Sequence, residues 1–264
     1  MTINLKNFFK SGQKTSKMGD FQELKDIEGL QVSAVSADLY KNSRDDLSLF
    51  YFPEGSNYSV AYTQNSIVSE SITWNKQNAK NNIKALVVNT KNANTFTGEQ
   101  GLNGLDDIAK TLVESLKKLE KENGYEKTKI KDILFASTGV IGEKFPLEKI
   151  KTNIPHLVSN LRINKNKLIW LKVASAIMTT DTKPKVAYSE FKLGDKIIRI
   201  AGIAKGSGMI APNLATMFSF IFTNADISSV VLNKYLGRVI SNTFNATTVA
   251  VSYTHLRAHE TRGN

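Results

Sequence analysis

Three short segments concentrate the side chains that could do chemistry. KGSGMIAPNLATM, residues 205–217, gathers a lysine, two glycines, a proline and an alanine–threonine pair. Its glycines could cradle a phosphate or simply turn the chain ahead of a core strand. The spacing and the strand–loop–helix context of a Walker or dinucleotide loop are missing, which disfavours phosphate. FASTGVIGE, residues 135–143, ends an apolar run in Ser137, Thr138 and Gly139. A hydroxyl and exposed amides at a strand end can point hydrogen-bond donors at a developing oxyanion, and an ordinary turn fits the same letters. IMTTDTKPK, residues 177–185, closes an apolar stretch with hydroxyls, one carboxylate and two lysines. That mixture suits an amino-acid pocket and equally a solvent-facing loop before Pro184.

Other chemistries find little support. With no cysteine in the chain, disulfides, thiol catalysis and Cys-based zinc or iron–sulfur sites are excluded. His156 stands alone in the body of the chain, beside Pro155, and is expected on a helix surface; the other two histidines are at the extreme end. A histidine triad is therefore not expected. The pairs Asp45–Asp46 and Asp106–Asp107 read as turn and helix-start acids, because a metal needs several converging groups. No metal is assigned.

The elements that must position these segments follow from periodicity. Residues 85–88 and 133–136 are short apolar runs of the kind buried strands show. Between them Leu105, Ile108, Leu112, Leu116 and Leu119 recur at helical steps, with Asn103 as the available cap and Gly124 closing the segment. Residues 186–193 and 196–204 flank Gly194-Asp195, a glycine-first turn suited to a type II′ hairpin. The second strand of that hairpin runs into Lys205. Residues 217–222 read as a buried strand, and 228–240 as a helix whose Leu232, Leu236, Val239 and Ile240 share a face. Strands and helices in this order predict an α/β fold in the α+β layered sense. No internal repeat or linker divides the chain.

The 264 residues, 41% of them hydrophobic, suffice for one large domain or two modest ones. A net charge of +11 raises the question of nucleic acid. The lysines are scattered or interleaved with acids, as Lys117, Lys118 and Lys121 are with Glu114, Glu120 and Glu122, so a solvated surface is the better reading. Such a field also tolerates anionic metabolites. The N-terminal residues lack the apolar core of a secretory signal, and 209–222, interrupted by Pro212 and Asn213, is too short to span a bilayer. A cytoplasmic protein with no membrane or nucleic-acid partner is expected.

Taken together, ALVVNTKNANTFTGEQG (85–101), ASTGVIGE, AIMTTDT, AKGSGMIAPNLATM and FTNADI, in that order, closely resemble the ornithine acetyltransferase family, also called glutamate N-acetyltransferase. The resemblance runs from about Gly19 to Phe244 and implies a self-processing fold of the N-terminal-nucleophile kind. It implies cleavage between Ala215 and Thr216, an α chain of residues 1–215 and a β chain that begins at Thr216, here residues 216–250. Thr216 would be the nucleophile and its freed α-amine a local base. Thr138 and Gly139 would form the oxyanion hole, and Thr179, Lys205 and Thr216 would bind substrate, with Lys205 a partner for its carboxylate. The implied reaction moves an acetyl group from N2-acetyl-L-ornithine to L-glutamate in arginine biosynthesis. It needs no cofactor and no metal, acetyl-CoA serving some members as a co-substrate, and the implied assembly pairs αβ units. The alternatives are a related N-terminal-nucleophile amidase or aminopeptidase and a basic nucleic-acid-binding protein.

Two departures accompany the resemblance. Lys91 stands where the family's NSGNAN-like segment carries glycine, which leaves that loop's conformation open. After about Val249 the family's β chain would continue, whereas this sequence ends in AVSYTHLRAHETRGN. Residues 251–264 are therefore expected to be foreign, and the chain as written to lack part of its active-site wall and to be impaired in cleavage and catalysis.

Overall fold

The computed structural model describes residues 24–79, 82–163, 167–206 and 217–246. Five runs rich in branched and aromatic residues form one sheet: β1 (Gln31–Val35), β2 (Leu47–Asn57), β3 (Asn82–Asn89), β4 (Ile133–Ser137) and β5 (Arg162–Ile163). Their order is β4-β3-β2-β1-β5. Neighbours are antiparallel except β3 and β4, which are parallel. A parallel pair needs a crossover, and helix α2 (Gly98–Asn123) supplies it.

Alternation along each strand sends side chains into two cores. Leu49 and Tyr51 of β2, Ala85 and Val87 of β3, and Ile133 and Phe135 of β4 face α2, α1 (Glu70–Asn78) and α3 (Leu147–Ser159). The intervening Phe50, Leu86, Val88 and Leu134 face Trp170 and Val173 of α4 (Lys167–Ala176). Behind them lies a second sheet, β6 (Lys185–Leu193), β7 (Lys196–Lys205) and β8 (Phe218–Thr223), which adds Ala201, Ile203 and Phe222 to that core. Because both faces of the first sheet are covered, its central strands read as nearly continuous apolar runs.

The hairpin turns as expected, Gly194 taking φ +59°. Strand β8 departs from the expected buried strand: only Phe222 is buried and Ile221 is exposed, because β8 is an edge strand with one face on the core. Helix α5 (Ser229–Val239) is capped by Ser228, whose hydroxyl accepts from the Val231 amide. Leu232, Leu236 and Ile240 are half-buried along one line of it, while Val239 is exposed.

Leu105, Ile108, Leu112 and Leu116 are buried, and Gly124 closes α2 at φ +72°. The start of α2 corrects the sequence reading, since Asn103 lies inside the helix and does not cap it. One oxygen of Glu70 accepts from the amides of Thr97 at 3.1 Å and Gly98 at 2.7 Å. A carboxylate from another helix thus accepts from the amides at the very start of α2, with the sign the helix dipole favours. Asp106 and Asp107 accordingly sit in the third turn rather than at the start, and Asp106 accepts from the Trp74 indole at 2.8 Å. Asp46 is a turn acid as expected, accepting from the Ala37 and Leu39 amides. His156 is exposed on α3.

Candidate active site

The site begins where β3 and β4 end side by side. The Thr138 amide donates to the Asn89 carbonyl at 3.1 Å, and the buried Ser137 hydroxyl donates to Asn89 Oδ1 at 2.7 Å. Ser137 also lies 2.7 Å from the Ser71 hydroxyl of α1, so the strand end is held from two elements. Gly139 follows at φ +141°. A Cβ there would lie 2.1 Å from the Lys91 carbonyl carbon and 2.5 Å from the Asn92 nitrogen, so only glycine fits against that backbone. The next amide, of Val140, donates to the Lys91 carbonyl at 2.8 Å, whereas the Gly139 amide has no acceptor among the described residues. Lys91 itself takes φ +71°. The left-handed turn expected of a glycine is therefore kept, with a lysine bearing the strain.

Lys205, the last residue of β7, projects onto this strand end. Its ammonium donates to Thr138 Oγ1 at 2.5 Å and lies 3.5 Å from Thr179 Oγ1 and 5.3 Å from the Phe218 ring centre. The side chain is 2% exposed. Burial lowers its pKa to about 8; the Asp181 carboxylate opposes that shift and the Lys185 ammonium adds to it. Lys205 is thus mainly cationic at neutral pH yet near its titration.

Asp181 organises the surroundings. Its Oδ1 accepts from Lys185 Nζ and from the Gly206 amide, both at 2.7 Å, and its Oδ2 accepts from the Thr179 amide at 3.3 Å. Burial alone would raise its pKa, but the Lys185 ammonium and the Gly206 amide outweigh burial and hold the carboxyl below its ordinary range. One carboxylate therefore fixes both the loop that carries Thr179 and the backbone that leaves Lys205.

Of the residues singled out from sequence, Thr138, Thr179 and Lys205 converge, with Gly139 next in the chain. Ala215 and Thr216 lie outside the described residues. Thr216 is two positions before Phe218, and Phe218 pairs with Lys205 across β7 and β8. Sequence reasoning placed Ser137, Asp181 and Lys185 in candidate segments without giving them individual roles, and it missed Asn89 as part of the site. Asp181 carried a signal, as the single carboxylate among the hydroxyls and lysines of 177–185, but its burial did not show. Nothing local marked Asn89, whose hold on Ser137 and Thr138 comes from strand pairing. Among the described residues no three acidic or histidine side chains come together to hold a metal.

Comparison with known proteins gives this geometry a family. The fold matches the crystal structure of the arginine biosynthesis bifunctional protein ArgJ from Bacillus halodurans, with TM-score 0.62 and 23% identity over 74% of this chain and 97% of that one. It also matches ornithine acetyltransferase of Mycobacterium tuberculosis complexed with ornithine, with TM-score 0.57 and 24% identity over 73% of this chain and 94% of that one. A more distant match, at TM-score 0.50 and 8% identity over 89% of this chain and 72% of that one, is the L-aminopeptidase D-Ala-esterase/amidase of Ochrobactrum anthropi, described as a variant of the Ntn hydrolase fold. At these identities the likeness is one of fold, and it agrees with the expected α/β, N-terminal-nucleophile-like architecture. In sequence, the chain is 40% identical over 224 residues to the arginine biosynthesis bifunctional protein ArgJ of Mesorhizobium japonicum, covering 84% of this chain and 51% of that protein. The chain spans about half the length of the curated relatives it matches. The family's sequence profile matches residues 31–253, and the chain belongs to the ArgJ family.

Proposed function

We propose that this chain carries the self-cleaving and acetyl-transferring centre of a glutamate N-acetyltransferase of arginine biosynthesis, with Thr216 as its nucleophile. The observation that carries the reading is the convergence of the Thr138 and Thr179 hydroxyls on the buried Lys205, beside a Gly139 amide with no acceptor among the described residues. Membership of the ArgJ family supports it.

In this reading the Thr216 hydroxyl oxygen attacks the Ala215 carbonyl carbon, and the Gly139 amide and Thr138 hydroxyl hold the charge that develops on the carbonyl oxygen. Collapse breaks the Ala215–Thr216 C–N bond, the nitrogen takes a proton, and an ester remains. Water then cleaves the ester, leaving an Ala215 carboxylate and a Thr216 with free amine and hydroxyl. The products are an α chain, 1–215, and a β chain that starts at Thr216. The freed amine, with a reference pKa near 8, serves as local base without any histidine.

Thr216 next takes the acetyl group of N2-acetyl-L-ornithine. Ornithine leaves with its nitrogen protonated, and the L-glutamate amine attacks the acetyl ester to give N-acetylglutamate and the restored hydroxyl. Thr179 and Lys205 bind the amino-acid substrate. No metal or cofactor takes part, acetyl-CoA is an alternative acetyl donor, αβ units pair, and the setting is the cytoplasm.

The test is the intact mass of the protein at the relatives' full length, beside its Thr216→Ala variant. Two fragments meeting at Ala215–Thr216, absent in the variant, are expected, together with ornithine release from acetylornithine that depends on glutamate. A wild type that stays whole, or release that ignores glutamate as an amidase's would, refutes the proposal.

A further inference from the structure

Lys205 is engaged by groups of the protein itself. Its ammonium donates to Thr138 Oγ1 at 2.5 Å, the shortest polar contact it makes among the described residues, while Thr179 Oγ1 is at 3.5 Å. A hydroxyl oxygen that accepts from an ammonium has its own proton left to donate elsewhere, and the neighbouring positive charge strengthens that donation. The surroundings keep the contact dry: Lys205 and Thr138 are both buried, and the Phe218 ring stands 5.3 Å from the ammonium. Asp181 holds the Gly206 backbone immediately beyond Lys205 at 2.7 Å, so the lysine is fixed at its base as well as its tip.

We infer that Lys205 is a positioning residue of the oxyanion hole, orienting and polarising the Thr138 hydroxyl, in addition to binding substrate. The inference rests on the proposed self-cleaving centre and deepens it. Cleavage of the Ala215–Thr216 bond builds an oxyanion with no amino-acid substrate present. A lysine that only held a substrate carboxylate would be idle in that step, whereas a lysine acting through Thr138 would not.

The experiment follows precursor disappearance by mass during cell-free synthesis of the full-length protein. Wild type, Lys205→Met, Thr138→Ala and the double variant are compared, with Thr216→Ala as the uncut reference. Lys205→Gln accompanies Lys205→Met so that the result does not hang on one replacement folding, and unfolding midpoints check each product. Lys205→Met is expected to slow cleavage at least tenfold, and the double variant to be no slower than Thr138→Ala alone. Cleavage of both Lys205 variants within twofold of wild type would confine the lysine to substrate binding and overturn the inference, while leaving the proposed function standing. Effects that multiply in the double variant would overturn it as well, since the lysine would then act independently of Thr138. An uncut wild type would remove both readings together.

Discussion

Replacing Gly139 by alanine probes the tightest backbone approach at the site. Two costs can be separated. At φ +141° an L side chain occupies a region that is nearly glycine's alone, worth of order 1–3 kcal/mol. The added Cβ would also sit 2.1 Å from the Lys91 carbonyl carbon and 2.2 Å from its oxygen, and these are backbone atoms that cannot swing away. Overpacking of that kind costs typically about 1–3 kcal/mol more. A combined loss of roughly 2–6 kcal/mol is expected from the two. Gly142→Ala provides the control, since Gly142 has φ +79° but nothing within 4 Å of a Cβ, and so pays for backbone strain alone. Denaturant midpoints of the two variants against wild type measure the difference. In the full-length protein, Gly139→Ala also displaces the amide proposed to face the oxyanion, and cleavage should fall by about a hundredfold or more. If Gly139→Ala matched Gly142→Ala in stability and cleaved at the wild-type rate, both the clash and the assigned role of the amide would be refuted.

Two further predictions concern charge and backbone. The Lys205 pKa is lowered to about 8, so between that pH and the ordinary lysine value near 10.4 the unfolded chain binds a proton that the folded chain lacks, and stability rises with pH across that window. Denaturation at several pH values should show the rise in wild type and its loss in Lys205→Met; an unchanged slope would mean that Lys205, facing Asp181 and Lys185, is not the group titrating. Lys91→Gly should stabilise the protein by up to about 1 kcal/mol, because it relieves a left-handed lysine at φ +71°. It gives up only an exposed ion pair to Glu143 at 3.8 Å, worth little; a lower unfolding midpoint in the variant would show that the lysine side chain contributes more than its backbone costs.

Much of this was legible in the residue order, because the responsible forces act over a few positions. The apolar period of 105–119 marks α2, Gly194 marks the hairpin, Ser228 opens α5, and the ordered motifs around Thr138, Thr179 and Lys205 name the residues that meet. What stayed illegible depends on partners distant in sequence. The true start of α2 rests on Glu70, 27 residues before Thr97. The half-exposed character of β8 follows from its place at a sheet edge, which apolar letters cannot announce. Asp181 stood out as the single carboxylate of its segment, but it becomes the clamp on Gly206 only when β7 returns beside its loop. The ammonium of Lys205 reaches Thr138 across 67 positions, from the end of one sheet to the end of another. Local periodicity and turn chemistry thus determine which elements form. The single conformation left to Gly139 is decided when the loop after β3 lies against the end of β4. Burial, and with it the lowered pKa of Lys205, is decided only when the two sheets pack, because water is excluded by the whole fold rather than by neighbours in the chain.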